Sequence, residues 1–226
     1  MSLTTPLSVQ KLQTALHDKA KGSPNFRFYA LYDKVYREDV MAFAYECCKT
    51  NRGAAGVDGQ TFEDIEEYGL KKWLDELTQE LRSRTYQPQP VRRVWIPKPD
   101  GKQRPLGVPA IKDRVAQTAA VMVLEPIFET DLQPEQYAYR PERSALDAVR
   151  HVHRLLNTGH GQVVDADSSG YFDSIPHADL MDFVHNRASG SVLDSCVSFF
   201  RFSPLKSTSP PGPAGFPLPS LGRKLL

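Results

Sequence analysis

Cysteine is scarce in this sequence: there are three, Cys47, Cys48 and Cys196, an odd number without metal-ligand spacing. That argues against a disulfide framework and fits a reducing compartment. No apolar run is long enough to cross a bilayer and the N-terminus carries no signal-peptide core, so the sequence predicts a soluble, cytoplasmic protein with no membrane partner. An excess of charge of one sign is lacking too: 28 Lys and Arg face 27 Asp and Glu in 226 residues. Whole-chain charge therefore names no partner, and any electrostatic recognition has to come from where the charges fall.

They fall unevenly. Arg82, Arg84, Arg92, Arg93, Lys98, Lys102, Arg104, Lys112 and Arg114 crowd one stretch against only Asp100 and Asp113, while Glu63 to Glu80 is acid-rich. A local basic surface is what a phosphate backbone requires, and a solvated face is the plain alternative. Residues 1–25 are polar, with one weak apolar stripe at Val9, Leu12 and Leu16, and predict a flexible lead-in. Residues 26–85 predict a helical region. Phe28 to Cys47 recurs at helical spacing with a break near Arg37-Glu38-Asp39, and Trp73, Leu74, Leu77 and Leu81 stripe a later helix. Between them the glycine-rich Asn51 to Gly59 cannot be helical, and Thr61 with Asp64 offers a capping box.

A hairpin follows. Val91 to Ile96 reads as a strand, Pro99-Asp100-Gly101 as its turn and Arg104 to Val108 as the returning strand. Lys98 and Arg104 sit on opposite arms, so both cations can face one concavity, an arrangement suited to a triphosphate. The plain alternative is a charged surface hairpin. Ile111 to Phe128 is a helix that Pro126 should end or kink. Beyond it, Tyr137, Tyr139, Arg140 and Arg143 interleave rings with guanidinium groups ahead of a second capping box, Ser144 to Asp147.

Val163-Val164-Asp165-Ala166-Asp167 then alternates and is β-branched, and so predicts a buried strand ending at the Ser168-Ser169-Gly170 turn. Period-two geometry puts Asp165 and Asp167 on one face, where paired carboxylates suit a hard cation such as Mg²⁺. Tyr171-Phe172-Asp173 follows, and Pro176 stands where a helix would begin.

This last stretch resembles motif A in the palm of a reverse transcriptase of the group II intron-encoded type. Pro97-Lys98-Pro99-Asp100-Gly101-Lys102-Gln103-Arg104-Pro105-Leu106 resembles the fingers of the same family, as do Lys112-Asp113-Arg114 and Tyr139-Arg140-Pro141-Glu142-Arg143-Ser144. The resemblance spans Phe26 to Asn186 in the expected order and fades between Asn186 and Phe200. It implies an α+β chain with the polymerase right-hand fold, helix-rich, with a β-hairpin and an incomplete palm sheet. Residues 26–85 would be an N-terminal extension, 86–160 the fingers, 161–200 a partial palm and 201–226 a disordered Ser/Pro-rich tail. By resemblance, Asp167 is the catalytic metal-binding aspartate with the Ser168 carbonyl as a further ligand. Phe172 excludes a ribose 2′-hydroxyl, Lys98 and Arg104 grip the incoming dNTP, and Arg114, Arg140 and Arg143 lie along the template. The implied cofactor is Mg²⁺, and the implied partners are an RNA template, a DNA primer, intron RNA and dNTP.

One family element is missing: the sequence contains no Tyr-x-Asp-Asp and no adjacent aspartates at all. It therefore predicts an N-terminal fragment with a shifted-frame or prematurely stopped tail, RNA-directed DNA polymerase by family and inactive alone, with its exposed palm strand inviting self-association. The competing readings are an intron RNA-binding, maturase-like module and a helical protein with no nucleic-acid role.

Overall fold

The computed structural model describes residues 3–97, 99, 101, 103–166 and 174–188. Helices dominate: α1 (Leu7–Gly22), α2 (Tyr32–Val35), α3 (Glu38–Thr50), α4 (Phe62–Tyr68), α5 (Leu70–Ser83), α6 (Ile111–Phe128), α7 (Ala145–Asn157) and α8 (His177–Arg187). The one sheet among the described residues is an antiparallel hairpin of β1 (Arg92–Pro97) and β2 (Gln103–Val108). No helix among them is long and apolar enough to cross a membrane.

The core is built around α6. Its Ile111, Val115, Ala119, Val123 and Ile127 are fully buried, and Ala116 and Ala120 are buried on the flanks. A helix apolar around most of its circumference has to be covered on several sides. Here α1 and α3 cover it, and three alanines let their backbones come close. Cys48 of α3 meets the Thr118 hydroxyl at 3.3 Å, and the Gln13 amide of α1 donates to the Met122 carbonyl at 3.2 Å. Pro126 sits inside α6, which ends two residues later at Phe128.

Around Tyr45 the core turns aromatic. Its ring is fully buried, edge-on to Phe62 at 5.6 Å and to Trp73 at 6.0 Å, so α3, α4 and α5 meet there. Burial, with Glu66, Glu46 and Glu63 adding to it, pushes the Tyr45 hydroxyl up to about 12. That hydroxyl has no hydrogen-bond partner among the described residues. Removing a buried, unsatisfied polar atom relieves its desolvation cost, so Tyr45→Phe is expected to leave stability unchanged or raise it by up to about 1 kcal/mol, read from the urea midpoint. A loss of that size would instead show a partner for the hydroxyl.

Both expected capping boxes are present. Thr61 accepts from the Asp64 amide at 3.2 Å while Asp64 accepts from the Thr61 amide at 2.8 Å, and Ser144 and Asp147 repeat the exchange at 3.2 and 3.1 Å. They matter unequally. α4 carries buried Phe62 and Ile65, whereas α7 buries no residue, and its stripe of Leu146, Val149, Val152, Leu155 and Leu156 is exposed. A short helix without packing leans on its caps. Ser144→Ala is expected to speed amide exchange across α7 by roughly fivefold while the global unfolding midpoint stays in place. The Ser144 hydrogen bond holds the Asp147 pKa below its usual value. A lowered carboxylate pKa favours the folded form above the unfolded pKa, so this protection should fade as pH falls through the lowered value.

Two expectations are corrected. The lead-in contains α1, whose Val9, Leu16 and Ala20 are buried against the rest of the core; its stripe is narrow because one side alone meets the neighbours. The expected buried strand is not found over its described part, since Val163 and Val164 are 73% and 93% exposed and 163–166 pairs with no strand. A lone extended segment has no ladder to join, and among the described residues the hairpin is the only sheet.

Candidate functional site

The β1–β2 register settles which hairpin side chains share a face. Arg92 pairs with Val108, Val94 with Leu106 and Ile96 with Arg104, so Arg92, Val94, Ile96, Arg104, Leu106 and Val108 lie on one side. Arg93, Trp95, Pro105 and Gly107 lie on the other, where the Arg93 guanidinium sits 5.7 Å from the Trp95 ring centre. Arg92 and Arg104 are exposed at opposite corners of this face; Leu106, on the rung between them, is 46% exposed, and Ile96, across from Arg104, is 43% exposed. No carboxylate among the described residues pairs with either arginine. The outcome is a face with two cations, unpaired among the described residues, beside apolar side chains, able to take an anion and a flat ring together. Lys98 follows β1 directly in sequence and lies outside the described residues.

The remaining basic residues are mostly engaged within the protein. Lys112 meets Glu80 at 2.6 Å. Arg114 presses against the glycine-rich loop: Nη2 donates to the Ala54 carbonyl at 2.7 Å, and the group lies 5.8 Å from the Phe62 ring centre. A Cβ on Gly53 would stand 1.9 Å from its Nη1, so glycine makes the room. Burial pulls the Arg114 pKa down, with Cys48 and Asp58 opposing.

Arg140 and Arg143 divide their labour. Arg140 is nearly buried; it gives two hydrogen bonds to Glu129, at 2.9 and 2.6 Å, and others to the Gln133 and Gln136 carbonyls at 2.7 and 3.1 Å. Those bonds hold a loop in which Tyr139 and Glu142 adopt φ of 59° and 58°, a left-handed conformation costly for side chains of this size. Arg143 is exposed, 5.5 Å from the Tyr137 ring centre, and the Tyr139 ring is 92% exposed. Arg140 organises the loop, and Arg143 with Tyr139 faces outward from it. Backbone strain singles out Tyr139, a signal that no spacing rule in the sequence carries.

The group missed altogether by sequence reasoning is Arg187. It is buried and forks onto Asp131 at 2.8 and 2.7 Å, while Nη1 donates to the carbonyls of Pro24 and Phe26. Phe28 bridges to Ala188, its amide donating to the Arg187 carbonyl at 2.9 Å. Thus the last described helix is fastened to the N-terminal segment and to the end of α6. Asp167, Ser168 and Phe172, expected as metal ligands and sugar gate, lie outside the described residues; Asp165 is described and exposed. Among the described residues no cluster of three or more His, Cys, Asp or Glu could hold a metal ion.

The sequence profile of the family described as reverse transcriptase (RNA-dependent DNA polymerase) matches residues 96–209, about half of the chain. The chain belongs to the reverse transcriptase family. The match begins in β1, includes the stretch that resembles motif A and runs beyond Asn186, further than the motif resemblance reached. The chain is 38% identical over 188 residues to protein YkfC of Escherichia coli K12, covering 80% of the chain and 49% of YkfC. It is 34% identical over 176 residues to the group II intron-encoded protein LtrA of Lactococcus lactis subsp. cremoris, covering 76% of the chain and 28% of LtrA. A putative COX1/OXI3 intron 1 protein of Saccharomyces cerevisiae is 29% identical over 139 residues, 62% of the chain and 16% of that protein. These similarities bear out the group II intron-encoded reverse transcriptase/maturase type. The chain spans about half or less of the length of these relatives.

Proposed function

We propose that the chain forms the fingers and the start of the palm of an RNA-directed DNA polymerase, binding an RNA template with its DNA primer and a dNTP. The observation that carries this is Arg104, an exposed guanidinium unpaired among the described residues, held in fixed register on the hairpin that opens the family match. A triphosphate needs such a donor, because charge-assisted, bidentate hydrogen bonds give both affinity and geometry. Lys98 supplies the second cation and Phe172 the ring against a 2′-hydroxyl. The metal is Mg²⁺, which stabilises charge on the transferring phosphoryl group. The Asp167 carboxylate and the Ser168 carbonyl are hard oxygen donors, the chemistry that ion prefers.

Arg104→Ala is expected to weaken Mg·dTTP binding roughly tenfold or more, as loss of a charge-assisted contact should, with Arg104→Lys recovering only part. Equal affinity for wild type and Arg104→Ala would remove the hairpin from nucleotide binding. The 226 residues hold Asp167 but no adjacent aspartates, so they are expected to bind without extending a primer. Robust Mg²⁺-dependent synthesis on poly(rA)/oligo(dT), abolished by Asp167→Ala, would overturn that expectation.

The outward-facing Tyr139 and Arg143 favour a second reading, an intron RNA-binding module without catalysis. An exposed ring can stack an unpaired base, and an exposed guanidinium can meet a phosphate. Under this reading RNA affinity has a steep salt dependence and falls with Arg143→Ala while dTTP does not bind.

A further inference from the structure

Among the described residues no helix packs extensively on the hairpin, whose main contacts run between its own two strands. Its direction is therefore set at its two roots, and both reach the first turn of α6. On one side, β2 ends at Val108 and only Pro109 and Ala110 separate it from α6, with Ala110 fully buried over Gly56. On the other, Asp113 holds the segment feeding β1 at two points. The Tyr86 hydroxyl donates to one of its carboxylate oxygens, and the Gln89 amide donates to the other at 3.0 Å. Pro88 and Pro90 flank Gln89, so little backbone freedom is left between that anchor and β1.

The environment of Asp113 makes the anchor stiff. The residue is 2% exposed, and burial pushes its carboxyl up while the Tyr86 and Gln89 donors pull it back. A desolvated carboxylate is held tightly by its donors, because leaving one oxygen unpaired in the interior is costly. Lys112 beside it is paired with Glu80 of α5, which ties the same turn of α6 to the helical body.

We propose that Asp113 is a positioning residue: through Tyr86 and Gln89 it fixes the angle of the β1–β2 hairpin, and with it the place of Arg104 over the bound triphosphate. This rests on the reading of Arg104 given above. It takes no part in the chemistry and touches no substrate; it acts by closing the base of the hairpin onto the helix that receives the returning strand. A guanidinium on a loosened arm would still be present, but no longer held where the phosphate oxygens lie.

The sequence has two tryptophans, Trp73 in the core and Trp95 in β1, so 5-fluorotryptophan labelling of the full chain gives one resonance for the body and one for the hairpin. With Asp113→Ala, the Trp95 resonance is expected to shift or broaden while Trp73 stays, and Mg·dTTP affinity is expected to fall about tenfold. Asp113→Asn can still accept from the Gln89 amide and donate to the Tyr86 oxygen, so it should keep both signals and hold affinity within about twofold. Tyr86→Phe, which removes one donor only, should give an intermediate effect and stands in if Asp113→Ala does not fold. An unmoved Trp95 with unchanged affinity in Asp113→Ala, or the same in Tyr86→Phe where that variant stands in, would overturn the proposal. So would Trp73 and Trp95 moving together, which would make Asp113 an ordinary core residue. Arg104→Ala separates the two claims. If it leaves dTTP binding unchanged, the nucleotide reading fails and takes the phosphate half of the proposal with it, while Trp95 still decides the mechanical half.

Discussion

Replacing Arg187 by alanine is expected to destabilise the protein by about 3 kcal/mol, the low end for breaking a buried ion pair. Its guanidinium satisfies both oxygens of Asp131 and the Pro24 carbonyl, with the Thr130 hydroxyl at 3.2 Å. Alanine would take the donor from a carboxylate and a carbonyl on partly exposed residues, and leave the space of the buried guanidinium unfilled. The Asp131 side chain keeps 35% of its surface in water, which is why the low end applies. Lysine presents one ammonium where a fork is needed, so Arg187→Lys should recover less than half of the loss. Urea unfolding gives the magnitude, and amide exchange at Phe28, whose N–H donates to the Arg187 carbonyl, gives the location. A loss below about 1 kcal/mol would show that α8 is held without this ion pair, by its backbone bonds and apolar contacts.

Gly56→Ala is expected to cost about 2–3 kcal/mol, and Gly53→Ala less than about 1, although the closest clash is worse at Gly53. A Cβ on Gly56 would stand 2.4 Å from the Ala110 Cα, 2.6 Å from its nitrogen and 2.9 Å from the Pro109 carbonyl carbon, all of them backbone. That backbone leads straight into α6 and cannot yield without moving the helix or the root of β2. At Gly53 the obstacle is the end of the Arg114 side chain, which can swing away at the loss of its bond to Ala54. Thermal unfolding of the two variants side by side decides the matter, and equal losses would mean that the 109–110 backbone gives way more easily than its burial implies. Because the same backbone carries the returning strand, Gly56→Ala should also weaken dTTP binding more than Gly53→Ala does.

Local signals were legible in the sequence. The break near Arg37 and Glu38, the cap residues Thr61 and Ser144, the hairpin and the helix from Ile111 all stand where spacing and turn chemistry put them. Each of these depends on residues within a few positions of one another. What failed depended on distant partners: α1 looked like a loose lead-in because its stripe is thin until α6 covers it, and Val163-Val164 looked like a buried strand because alternation reports a preference for pairing without supplying a neighbour. The candidate site divides the same way. Arg104 could be read from the hairpin pattern, whereas Arg140 looked as free as Arg143 until Glu129, eleven residues earlier in sequence, was seen to hold it.

The order of motifs alone determined the family, because a series of short patterns in one fixed sequence constrains identity far more than any one pattern does. It also determined which residues are candidates for nucleotide and template. The tertiary structure decided which of the described cations are exposed and which hold the protein together. It placed Arg92 and Arg104 on one open face, tied Arg140 to Glu129 and the half-buried Arg114 to the Ala54 carbonyl, and gave Arg187 and Asp113 tasks that no spacing announces. The physical reason is that a charge's role is set by its partner and its burial, and both come from residues far away in the chain.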